Sequence, residues 1–113
     1  MKLALVVLLL TAGLAHAQAP HPCATDAIAR AKPLLTLHFG EGKPVENLSV
    51  EDTAKPMPPL KSPGGKTMLD VLEVWGHVYK GSYRMRFLYL RVKETCALIG
   101  QEVIEAPLTG RKR

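Results

Sequence analysis

The sequence predicts an α+β fold: one N-terminal helix packed on a mainly antiparallel sheet of about four strands, tied by one disulfide. Three observations lead there. From Leu69 to Glu105 the chain holds three runs rich in β-branched, aromatic and other apolar residues, broken at Lys80-Gly81 and Lys93-Glu94-Thr95. Such runs with short breaks are the signature of consecutive hairpins. Between Thr25 and Phe39, apolar residues recur at helical spacing instead. The only cysteines, Cys23 and Cys96, lie just before the helix and in the last strand.

Taken in order, residues 1–17 read as a cleaved signal peptide. Lys2 supplies the charged start, Leu3 to Leu10 the apolar run, and Ala15-His16-Ala17 the small-x-small cleavage signal. The run is short for a membrane span, so no stable anchor is expected. Residues 18–113 then form a single small domain behind a mobile, Pro-containing lead-in that includes His21. An exported chain meets oxidising conditions, so Cys23 and Cys96 are expected to pair. Closing so long a loop should contribute on the order of 4 kcal/mol.

Thr25 or Asp26 caps a helix running to about Phe39, with Gly40 as its stop. Its apolar stripe is Ile28, Ala31, Leu34, Leu35 and His38. Pro33 removes a backbone donor inside the helix and predicts a bend near Ala29. Val45 to Glu51 alternates weakly and reads as an edge strand. Residues 55–66 carry Pro56, Pro58, Pro59 and Pro63, which exclude a helix or a central strand. An extended Pro-rich surface loop is expected there.

With Lys80-Gly81 as the first turn, Val78 faces Tyr83, Gly76 faces Met85, Val74 faces Phe87 and Leu72 faces Tyr89. Side chains alternate along a strand, so these share one apolar face, the core face. The other face pairs His77 with Arg84, Trp75 with Arg86, Glu73 with Leu88 and Val71 with Leu90, polar at the tip and apolar at the base. The third strand has two registers. One sets Arg86 opposite Glu102; the other sets Tyr89 opposite Leu98 and turns Cys96 inward. The chain ends in a basic tail, Arg111-Lys112-Arg113.

Candidate function starts from the outer face. Trp75, His77, Arg84 and Arg86 form a binding patch, because an aromatic ring beside arginines suits a cation–π contact and an anionic ligand. The competing reading is an ordinary solvated sheet face. The formal net charge of +5 favours attraction to anionic surfaces. Nucleic acid is not an expected partner, since no basic–aromatic stripe is long enough. There is no nucleophile elbow or metal-ligand spacing, and Gly64-Gly65-Lys66-Thr67 lacks the first glycine of a phosphate loop. The resulting expectation is a small periplasmic or secreted binding protein of the cell envelope, without catalysis or cofactor, meeting an anionic envelope component or a protein partner. The alternative is a small hydrolase or metal-dependent enzyme using His38 or His77.

Overall fold

The computed structural model describes residues 19–40, 45–79 and 81–106. The expected signal peptide, residues 41–44, Lys80 and the basic tail lie outside the described residues. The elements run α1 (Ala24–Gly40), β1 (Leu48–Val50), β2 (Lys55–Lys61), β3 (Met68–Val78), β4 (Gly81–Val92) and β5 (Thr95–Glu105). Every strand pairing is antiparallel, in the order β1-β3-β4-β5, and β2 joins β1 along the same edge of β3. The fold is the expected α+β, with five strands rather than about four.

The fifth strand comes from the Pro-rich segment. Lys55, Pro56 and Met57 pair with Glu73, Leu72 and Val71; the register then breaks before Leu60 and Lys61 pair with Leu69 and Met68. Proline is barred from central strands because it cannot donate to both neighbours. On an edge, alternate residues have no partner to serve. The break in register takes up Pro58 and Pro59. Only the end of the expected loop, from Ser62 to Thr67, is a turn, closed by Ser62 N–H donating to the Thr67 carbonyl at 2.8 Å. Gly64 has a φ of +67° there, which glycine adopts without strain.

α1 is one helix with the exposed Pro33 inside it. Its start differs from expectation. Asp26 does not cap; its carboxylate accepts hydrogen bonds from Arg30 Nε and from the Tyr89 hydroxyl, both at 2.7 Å. The helix entry is organised by His21 instead. Its Nδ1 accepts the Cys23 N–H at 2.9 Å and its carbonyl accepts the Ala24 N–H. His21 Nε2 lies 2.9 Å from Asp70 Oδ2 on β3, so this histidine is anchored to the sheet rather than lying in a mobile lead-in.

The helix buries Ala24, Ala27, Ala31 and Leu35. The three alanines let the helix backbone come close to the sheet. Leu35 lies over Gly76, where an added Cβ would stand 2.6 Å from Leu35 Cδ2 and 2.8 Å from Met85 Cε. Below it Leu72, Val74, Met85, Phe87 and Tyr89 are fully buried. The Cys23–Cys96 disulfide, with Cα atoms 5.8 Å apart, ties the helix start to β5.

The first hairpin turns one residue earlier than the glycine suggested. Val78 pairs with Gly81, and Tyr79, just after Val78, carries the positive φ of 56°. Gly81 is needed for space, not for φ: a Cβ there would lie 2.8 Å from the Tyr83 hydroxyl. The register therefore shifts by two. Gly76 faces Tyr83, Val74 faces Met85 and Leu72 faces Phe87. A shift of two leaves each face intact. In β5 both expected registers occur. Arg86 pairs with Glu102 and Tyr89 with Leu98, joined by a bulge that leaves Ile99 unpaired.

Candidate functional site

Trp75, His77, Arg84 and Arg86 all lie on the sheet face away from α1, as alternation requires, but the shifted register changes their partners. Trp75 faces Arg84 rather than Arg86, and the Arg84 guanidinium lies 5.8 Å from the centre of the indole. Arg84 makes no ion pair among the described residues. Its Nε is shielded from solvent and has no hydrogen-bond partner. This stacked guanidinium is the polar end of the face.

Arg86 is occupied differently. Its Nε donates to Glu73 Oε2 at 3.0 Å, and the Glu73 side chain is 5% exposed. A carboxylate so enclosed needs this partner. Lys55 and Glu102 complete the same row, opposite Glu73 and Arg86 respectively. Arg86 thus holds a neighbouring acid in place and is less available to an anion than Arg84.

His77 joins a third arrangement at the hairpin end. Its Nε2 lies 2.9 Å from Glu51 Oε2 and its Nδ1 lies 3.1 Å from Ser82 Oγ. With Nε2–H donating to the carboxylate, Nδ1 accepts the Ser82 hydroxyl proton. Ser82 is the direct cross-strand partner of His77, and Glu51 lies two residues after Ser49, its partner on the other side. The sequence reading missed Glu51, Glu73 and Ser82. The alternation along β3 and β4 put Glu73 and Ser82 on the right face, but pairing them required the true turn.

Towards the base the face turns apolar. Met57, Val71, Leu88 and Gly100 form one cross-strand row. A hollow of about 230 Å³ lies among Met57, Leu60, Val71 and Leu88, with Arg86 and Glu102 at its rim. A second, of about 270 Å³, shares Leu60, Leu88 and Glu102 and reaches Gly100.

The shifted pKa values lie elsewhere. For Asp26, burial acts to raise the value, but the hydrogen bonds from Arg30 and Tyr89 and the Arg30 charge outweigh it and hold the carboxyl below its usual range. Burial, then the bond to Asp26, pushes the Tyr89 hydroxyl far above its usual value. Burial, helped by the Glu105 charge, raises Tyr83. These groups serve the helix–sheet contact. His38, at the helix end, packs its ring against Phe39 at 4.8 Å and Tyr83 at 6.3 Å and is not brought near His77's partners.

Among the described residues no three His, Cys, Asp or Glu side chains are grouped as metal ligands, and no helix is long and apolar enough to cross a membrane. The disulfide is compatible with a location outside the cytoplasm. No family model, curated protein or solved structure matches the chain. The face must be read from its own chemistry.

Proposed function

We propose that this is a small exported binding protein of the cell envelope, and that it meets an anionic component through the outer face of its sheet. The observation that carries the reading is the Arg84 guanidinium stacked on Trp75 with an unpartnered Nε. A shielded donor without an acceptor is costly, and a phosphate or carboxylate oxygen would satisfy it with a charge-assisted bond. The ring attracts the guanidinium without neutralising it. The signal-peptide-like start, the disulfide and the net positive charge support the setting.

Trp75 is the only tryptophan, so its emission reports directly on this face. Titration of the protein with inorganic phosphate should change that emission saturably, and Arg84→Gln should weaken the response at least fivefold. An unaltered response in Arg84→Gln overturns the reading.

A second reading is favoured by one observation, the Ser82–His77–Glu51 line. A hydroxyl, an imidazole and a carboxylate stand there in the order nucleophile, base and orienting acid. Their exposure argues for the binding reading first, because water weakens the preorganised field that speeds acyl transfer. Hydrolysis of an activated ester that disappears in both Ser82→Ala and His77→Ala would establish the hydrolase. Turnover unchanged in either variant would remove it.

A further inference from the structure

Resting on the anion-binding reading above, we propose that the ligand of the outer face is a single-chain amphiphile. Its anionic head would meet Arg84 and its alkyl chain would lie in the groove around Leu88 and Gly100.

Three features of the face call for a ligand of two parts. The first is its gradient. From the tip towards the base the cross-strand rows are Trp75–Arg84–Ile104, then Lys55–Glu73–Arg86–Glu102, then Met57–Val71–Leu88–Gly100. A lone anion would use only the first row and leave the third open to water. Arg84 and Leu88 are four residues apart on β4, about 13 Å along a strand. That span suits a medium-length chain running from the guanidinium to the groove.

The second is Gly100. It occupies the position on β5 where a side chain would fill the Leu88 row, and a Cβ there would meet nothing within 4 Å. The gap opens into the hollow lined by Leu60, Leu88, Gly100 and Glu102, which shares Leu60, Leu88 and Glu102 with the hollow around Met57 and Val71. The walls are mainly apolar, and the methionine and leucine side chains can adapt to a chain.

The third is the middle row. Glu73 and Arg86 bind one another at 3.0 Å, and Lys55 and Glu102 at the two ends of the row carry opposite charges, so the row has no net charge to attract or repel the head. Lys55 on the edge strand has no ion pair among the described residues either, but it is exposed to water, whereas the Arg84 Nε is shielded and without an acceptor, which sets the head at the tip end. Charge complementarity thus orients the ligand, and the apolar groove determines its length.

The test uses sodium dodecanoate below its micelle-forming concentration, with acetate and dodecyltrimethylammonium as controls, followed by Trp75 emission and calorimetry. Dodecanoate should bind far more tightly than acetate, since each buried methylene tightens binding up to about fourfold. Gly100→Leu, which fills the gap without touching the core, should weaken dodecanoate at least tenfold and leave the phosphate response intact. Arg84→Gln should weaken both anions, and the cationic amphiphile should bind poorly. Equal affinity for acetate and dodecanoate, or indifference to Gly100→Leu, overturns the amphiphile while the anion site stands. Loss in Gly100→Leu but not in Arg84→Gln overturns both, leaving a purely apolar groove.

Discussion

Replacing Gly76 by alanine tests how closely the helix approaches the sheet. The new Cβ would stand 2.6 Å from Leu35 Cδ2, 2.8 Å from Met85 Cε and 3.4 Å from the Ser49 carbonyl oxygen. Carbon atoms pack best at about 3.5–4.0 Å, so two contacts are short by about 1 Å. Both contacting atoms end flexible side chains, but Leu35 and Met85 are fully buried and cannot swing into open space. Overpacking of this kind costs about 1–3 kcal/mol. Alanine recovers about 0.4–1 kcal/mol by restricting the unfolded chain, which leaves a net loss of about 1–2 kcal/mol. For a domain of this size the melting temperature should fall by about 5–15 °C. Urea unfolding followed by circular dichroism measures the loss directly. In a Leu35→Ala background the same change should cost nothing or stabilise, because the alanine methyl then fills vacated volume. The coupling should be at least about 1 kcal/mol. Wild-type stability in Gly76→Ala, or simple additivity with Leu35→Ala, would refute the close approach.

Three further outcomes are expected. Cys23→Ala with Cys96→Ala opens a crosslink between residues 73 apart and should lower unfolding stability by about 4 kcal/mol; a loss under about 1 kcal/mol in urea titration would contradict that. Arg86→Ala strands the enclosed Glu73 carboxylate and should cost about 2–3 kcal/mol, with much of the loss recovered when Glu73→Gln is added; equal stability of Arg86→Ala and wild type would exclude the pairing. Asp26 has a lowered folded pKa, so its contribution is present above the unfolded value of about 3.8 and fades as pH falls through the folded value. Tyr89 is raised, so its contribution is present below about 10 and fades as pH climbs through the folded value. Asp26→Asn should therefore flatten the acid limb of the stability profile and Tyr89→Phe the alkaline limb. Unchanged limbs would show that the hydroxyl–carboxylate bond does not link helix to sheet.

Much of this molecule is determined by pattern alone. The alternation from Leu72 to Tyr89 assigns the core and outer faces, and it survives a two-residue error in register because side-chain direction repeats every two residues. The helix follows from spacing, and the crosslink from the presence of two cysteines. The patch of Trp75, His77, Arg84 and Arg86 shares one face for the same reason. Partnership within the patch is another matter. Which arginine stacks on Trp75 depends on the turn, and a Gly-containing dipeptide signals that a turn is near without determining which two residues form it. The Pro-rich segment shows the same limit: proline forbids a central strand, but only the free edge of β3 turns the segment into β2. The groove is a tertiary product throughout. Met57, Leu88 and Gly100 come from three strands, and the sheet sets the glycine directly beside Leu88, leaving that end of the row without a side chain. Period and composition are local properties of the chain, whereas register, edge position and surface hollows arise only when distant segments meet.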